Sequence, residues 1–270
     1  MSKTPRYVVV EKKIGETPLA RLELFRKTEP RLADVPITYA GRLDPMASGE
    51  LLLLIGEECK KREKYTALDK SYEFEILLGA SSDTGDVLGL PRLSEGAVFS
   101  DEEVESVRQM FIGKSRMPYP SFSSKTVDGK PLFQHALAGT LDDIEIPQKE
   151  TQVYRLVFLG KKEISAEELL HDIESKISAL KVDTESTRLG ADFRKEEILA
   201  RWRQLLSGSD LTFTLIKCEA TVSSGTYIRT LAEKIGEQLG SHALAYAIHR
   251  TRIGRFLPIW RRLGLWTRVF

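Results

Sequence analysis

Cysteine is almost missing from this chain: two in 270 residues, Cys59 and Cys218. They match no metal spacing and make no disulfide framework, so they read as plain residues of a reducing compartment. Histidine is as thin. His135, His171, His242 and His249 are scattered and fit no zinc motif. No apolar run reaches the length that spans a bilayer, and Met1 to Pro5 lack the apolar core of a signal peptide. There is no phosphate-cradling glycine loop, no Ser-His-Asp order, no internal repeat and no low-complexity tract. A net charge of +1 announces no global field, so any nucleic-acid site must be a local patch. What remains is the composition of a soluble, cytoplasmic protein, 41% hydrophobic and 29% charged. Its length suits one large domain or two modest ones.

The stretch with most chemical content is Thr38-Tyr39-Ala40-Gly41-Arg42-Leu43-Asp44-Pro45-Met46-Ala47-Ser48-Gly49, running into Leu51 to Ile55. Pro45 biases Asp44 toward extended backbone. Gly41 and Gly49 permit close approach or unusual dihedrals on either side. The apolar run behind them suits a buried element. The whole reads as a tight loop that pushes one carboxylate out of an apolar wall; taken alone, a self-capping Pro/Gly turn explains it as well.

Around this loop, Tyr7 to Val10 is a short strand and Lys12 to Gly15 a turn. Pro18 to Phe25 is a helix capped by Thr17. Glu57 to Leu68 is charged and helical, with Lys60, Lys61, Arg62 and Lys64 clustered on it. Ser71 to Leu78 alternates as a strand. Gly79 to Asp86 is a polar loop. Capping boxes at Ser100–Glu103 and Ser165–Glu168 open helices toward Phe111 and Leu180. Gly113 to Gly139 reads as an exposed excursion with little core of its own. Val153 to Leu159 and Leu211 to Val222 are strands, and Phe193 to Leu206 a helix. Residues 161–209 read as a charged helical insertion, a solvated appendage without chemistry. Thr226 to Leu239 is a helix with Ile228, Leu231, Ile235 and Leu239 on one stripe. Arg229 in its first turn opposes the helix dipole, which points to a paired carboxylate. Residues 241–270 contain no Asp or Glu but carry Arg250, Arg252, Arg255, Arg261, Arg262 and Arg268, with aromatics between them. That basic tail, from about 249, suits contact with nucleic-acid backbone.

These parts resemble, in order, the motifs of the TruB family of tRNA pseudouridine synthases, relatives of dyskerin. Gly41-x-Leu43-Asp44-Pro45-x-Ala47-x-Gly49 is similar to its nucleophile loop. Lys13 and Gly15 resemble its Lys-Pro-x-Gly motif without the proline. Gly56-Glu57-x-x-Lys60 resembles Gly-Glu-x-Thr-Lys, Lys70-Ser71-Tyr72 its Lys-x-Tyr strand, and Gly79 to Asp86 its Gly-x-x-Thr-Asp-Thr-x-Asp loop. Gly225-Thr226-Tyr227-Ile228-Arg229 is its Gly-Thr-Tyr-Ile-Arg signature. Pro120 to Lys125 departs from its Tyr-Ser-Ala-x-Lys, and Arg42-Leu43-Asp44 is similar to other pseudouridine synthase families.

The resemblance implies an α/β (α+β) fold, a central mixed, mainly antiparallel sheet with flanking helices, forming one catalytic domain over 1–270. It implies that Asp44 attacks as nucleophile, Arg229 balances its charge, and Tyr72 stacks on the target base and helps remove the C5 proton. Tyr39 stands where the family has a histidine, and Ile248 where it has an apolar residue near the base; Lys60 and Asp86 fall on substrate-binding positions. The expected substrate is the T-loop uridine of tRNA, conventionally numbered 55, with no cofactor, no metal, no membrane and a monomeric enzyme. The motifs leave no length for the PUA domain often seen in the family, for which the Arg-rich end is a partial stand-in. The other readings are a synthase for a different RNA and an idle RNA-binding module of the same fold.

Overall fold

The computed structural model describes residues 5–94, 99–180, 194–260, 263–268 and 270. Its strands are β1 Tyr7–Lys12, β2 Ile37–Ala40, β3 Ala47–Ile55, β4 Asp69–Leu78, β5 Ala80–Ser82, β6 Pro91–Leu93, β7 Gly113–Pro118, β8 Thr126–Val127, β9 Lys130–Pro131, β10 Gln148–Ser165, β11 Thr212–Val222, β12 Ala243–Trp260 and β13 Leu263–Thr267. Its helices are α1 Pro18–Thr28, α2 Arg62–Thr66, α3 Asp101–Met110, α4 Leu132–Ala138, α5 Ala166–Ser178, α6 Lys195–Leu206 and α7 Ile228–Gln238.

One large sheet carries the molecule, in the order β1-β3-β12-β4-β11-β10-β7, with β2 also on β3 and β13 on β12. All its ladders are antiparallel except β12 on β3, where Ile248, His249 and Arg250 run parallel to Ala47, Ser48 and Gly49. The mixed, mainly antiparallel expectation is met. β12 therefore joins the N-terminal strands to the rest of the sheet.

β3 shows why its sequence is so apolar. Leu51, Leu53 and Ile55 enter one cluster with Val10, Leu22 and Phe25, while Leu52 and Leu54 enter another with Tyr65, Leu68 and Ile253. Side chains alternate across a strand, so a strand covered on both faces must be apolar throughout. Each fully buried leucine contributes roughly 1.5–3 kcal/mol, which anchors the loop preceding it.

The helix starts follow the caps. Thr17 accepts from the Ala20 amide, and Ser100 and Ser165 each complete a capping box. The segment after β3 is tighter than expected, a 3-10 turn over Gly56–Lys61 before α2.

Two expectations are corrected. Residues 161–165 continue β10, and α5 and α6 are no solvated appendage: Ala166, Leu169, Ile173, Ile177, Ile198, Trp202 and Leu206 are buried in the main core. The intervening residues 181–193, with Phe193, lie outside the described residues. The excursion beginning at Gly113 is not wholly exposed, because β7 pairs with β10. The basic tail forms β12 and β13: Arg250 is 1% exposed, while Arg252, over the Trp266 ring at 5.5 Å, Arg255, and Arg268, 3.4 Å from Glu50, remain exposed. Arg261 and Arg262 lie outside the described residues.

Candidate active site

The Asp44 loop bridges β2 and β3 and is held by its backbone. Gly15 N–H donates to the Pro45 carbonyl at 2.9 Å, and Ala47 N–H to that of Asp44 at 3.0 Å. Gly49 sits at φ +111°, where an added Cβ would lie 2.2 Å from the Arg250 carbonyl oxygen. Only glycine allows β3 and β12 to approach this closely. Arg250 then clamps the loop from behind: Nε donates to the Glu50 carbonyl at 2.7 Å, Nη1 to Arg42 at 3.3 Å and Nη2 to Gly41 at 3.2 Å.

Asp44 emerges from this clamp with its side chain 38% exposed, against 3% for Arg229 beside it. Arg229 Nε donates to Asp44 Oδ2 at 2.8 Å, Nη1 donates to the Thr84 carbonyl and Nη2 to that of Phe122 at 3.1 Å. The guanidinium fork is thus spent on three separate segments. Asp86 Oδ2 lies 3.7 Å from Arg229 Nε, while Asp86 Oδ1 accepts from Thr84 Oγ1 at 2.8 Å and from the Leu88 amide at 2.9 Å. A cation at a helix N-terminus is unfavourable by itself; two carboxylates reverse the sign. Burial opposes the Arg229 charge, and Asp44 and Asp86 more than restore it, so its pKa lies above the ordinary arginine value.

The electrostatics divide the carboxylates. Burial pushes Asp86 up to about 6, against the pull of Arg229 and with a further push from Asp44. Glu233, one turn along α7 from Arg229, is pushed up to about 7, chiefly by burial. Asp44 is the more solvent-accessible of the two carboxylates on Arg229, 38% exposed against 5% for Asp86.

The other expected residues are placed as follows. Tyr72 on β4 is buried between Ala220 of β11 and Arg250 of β12. Ile248, also buried, sits beside Ala47 in the parallel ladder, three residues from Asp44. Tyr39 packs on the Val10–Leu22–Phe25 cluster and takes the Arg62 guanidinium over its ring at 5.6 Å. Lys60 is exposed and paired with Glu57 at 2.7 Å. It follows the far end of β3, with the nine residues of that strand, roughly 26 Å, between it and the Asp44 loop. The structure brings Asp44, Arg229 and Asp86 together and sets Tyr72 and Ile248 on the adjoining strands; it does not bring Lys60 to them.

Four neighbours escaped the sequence reading. Arg250 was counted with the basic end. Lys12 is fully buried, donating to the Glu16 carbonyl at 2.8 Å and the Lys13 carbonyl at 2.9 Å. Burial lowers it to about 8, against the pull of Glu16 and Asp44. Counting back from Gly15, Lys-Pro-x-Gly puts its lysine at Lys12, so the match to Lys13 was one residue off. Lys70 is lowered to about 7, first by burial and then by Arg250. Tyr227, at the cap of α7, stacks edge-on with Tyr119 at 5.9 Å, and Lys125 stands 5.5 Å from the Tyr119 ring.

The arrangement offers one reachable carboxylate, a buried cation balancing it, and apolar and aromatic walls. Among the described residues no cluster of His, Cys, Asp and Glu could hold a metal ion. The fold matches a chain of a solved structure, "Crystal Structure of a Cbf5-Nop10-Gar1 Complex", with a TM-score of 0.54 and 16% identity over 92% of this chain and 48% of that one. A family model described as TruB family pseudouridylate synthase (N terminal domain) matches residues 32–178. The class is thereby a pseudouridylate synthase. The chain belongs to the TruB family. The tRNA pseudouridine synthase B of Azoarcus sp. (strain BH72) is 32% identical over 260 residues, 94% of this chain and 68% of the relative. Its counterpart in Aromatoleum aromaticum is 27% identical over 249 residues, 92% of this chain and 63% of the relative. That of Listeria welshimeri is 33% identical over 221 residues, 82% and 58% respectively. The chain thus spans between about half and two thirds of the length of curated relatives like these, 53–68%.

Proposed function

We propose that this chain isomerises the T-loop uridine of tRNA, position 55, to pseudouridine. The observation that carries the reading is the Asp44–Arg229 pair, 2.8 Å apart, in the loop and helix whose motifs define the family resemblance. The relatives' name, tRNA pseudouridine synthase B, supports the substrate.

In this reading Asp44 initiates release of the base from its ribose, as a carboxylate nucleophile does at a glycosidic carbon. N1–C1′ breaks, the base turns, C5–C1′ forms, and the proton lost at C5 is balanced by one gained at N1. Nothing is consumed, so no cofactor is required. Tyr72 stacks on the extruded base and assists removal of the C5 proton, while Ile248 supplies an apolar wall. Asp86 holds Arg229 toward Asp44 from the far side. Tyr39 stacks at the entrance, and Lys60 contacts RNA beyond the target nucleotide. Extrusion of the base costs a few kcal/mol, supplied by contacts with the surrounding RNA. The residues form a single catalytic domain that acts as a monomer in the cytoplasm. Among the described residues no helix is long and apolar enough to cross a membrane. Mapping pseudouridine in unmodified tRNA incubated with the pure protein tests the reading. A new pseudouridine at position 55 is expected; none anywhere in the tRNA would refute it.

A further inference from the structure

Lys149 stands in β10 opposite Met117 of β7, at the end of the sheet where β11 has already turned into the loop Ser223–Gly225. Its side chain lies over that loop so closely that a Cβ on Gly225 would fall 2.1 Å from Nζ. Gly225 has φ +86°, a dihedral that favours glycine, and the flexible end of Lys149 lies directly above it. The Lys149 side chain makes no hydrogen bond or ion pair with any described residue. It is half-buried, and its charge is one of those that push Lys70 down. A lysine held without an acid and near other cations is poised for an anion brought from outside.

A second observation points to the same place. Thr226 Oγ1, next to Gly225, and Ser123 Oγ, next to the Phe122 carbonyl that Arg229 binds, are both buried and have no hydrogen-bond partner. Buried hydroxyls are normally satisfied, and the Thr226 orphan, beside the turn that Lys149 covers, marks where a ligand's acceptor belongs. We infer that Lys149, with the Thr226 hydroxyl, forms a subsite for a backbone phosphate of the RNA beside the nucleotide being isomerised. Lys149 is a positioning residue here: it touches the phosphate and leaves the bond changes to Asp44. The inference rests on the RNA reading above.

The test compares Lys149→Gln and Lys149→Arg with the parent protein, using a T-arm stem–loop RNA, by binding isotherms at several salt concentrations and by single-turnover rates at saturating RNA. One lost phosphate contact removes about 0.7–0.9 from the slope of log K against log[salt], which weakens binding about five- to eightfold at 0.1 M relative to 1 M salt. Lys149→Gln should show that loss with its saturating rate within about twofold of the parent, and Lys149→Arg should restore the slope. A methylphosphonate scan of the phosphates flanking the target uridine should find one position where the neutral linkage weakens the parent but not Lys149→Gln, the non-additivity expected of a direct contact. An unchanged slope in Lys149→Gln, or a fall in its saturating rate with the slope intact, overturns this inference alone. Failure of the parent to bind the RNA in a salt-dependent way overturns the RNA reading and this inference with it.

Discussion

Replacing Arg229 by lysine keeps the charge and removes the fork, and the structure sets the size of the effect. The guanidinium serves three acceptors on three segments: Asp44 Oδ2, the Thr84 carbonyl and the Phe122 carbonyl. An ammonium is a single nitrogen on a flexible stem and does not reproduce that planar fork. If it follows the charge to Asp44, the carbonyls of Thr84 and Phe122 are left unbonded in the interior. Each orphaned buried acceptor costs about 1–3 kcal/mol, so Arg229→Lys should lower unfolding free energy by roughly 3 kcal/mol. For a chain of this size that is a fall in Tm of about 6–12 °C. Activity should fall further than stability, because the Thr84 and Phe122 segments cease to fix the cation against the nucleophile; a loss of at least about a hundredfold in single-turnover rate is expected. Urea unfolding followed by far-UV circular dichroism measures the first effect, and pseudouridine formation under excess enzyme the second. A variant that loses less than about 1 kcal/mol and turns over within twofold of the parent would refute the view that the three-way fork organises the site.

Asp44→Asn should abolish turnover while RNA affinity stays within about tenfold, since it removes the nucleophile and no basic contact; a rate-competent Asn variant free of parent protein would show otherwise. Tyr72→Phe keeps the ring and loses the hydroxyl, so binding should persist while product formation falls steeply, and equal rates would leave only the stacking role. Glu233 is pushed from its ordinary 4.5 to about 7 in the folded state. The folded protein therefore holds that proton more tightly than the unfolded chain, and stability falls as pH rises from about 4.5 to about 7. Glu233→Gln should shrink the difference between unfolding free energies at pH 5 and pH 8 by at most about 3 kcal/mol; an unshrunk difference would place the titration elsewhere.

What the sequence disclosed depended on how local the cause was. The capping boxes at Ser100 and Ser165 were readable because a cap is settled within four residues. The Asp44 loop was readable from its proline and glycines. Arg229 could be singled out because a cation at a helix start breaks a local rule, and Asp44 and Asp86 now explain the breach. Arg250 gave no such signal. Its partners Gly41, Arg42 and Glu50 lie about two hundred positions away, and only the β3–β12 register joins them. The burial of α5 was in principle legible: Ala166, Leu169, Ile173 and Ile177 form a helical stripe. The charged residues around that stripe drew the reading outward. Lys60 was placed by motif alone, and a motif carries no information about which end of β3 it will occupy.

The place of β12 also dictates an order of events. β3 ends at Ile55 and β4 begins at Asp69, yet neither borders the other; β12, made of residues 243–260, lies between them. During synthesis the two early strands must wait, side by side with a gap, until residues 243–260 have left the ribosome. Contacts closed over such distances form slowly, and in the interval β3 and β4 present open edges able to pair with another chain. Because Arg250 grips the Asp44 loop from that same late strand, the carboxylate acquires its final position only when β12 slots into the sheet.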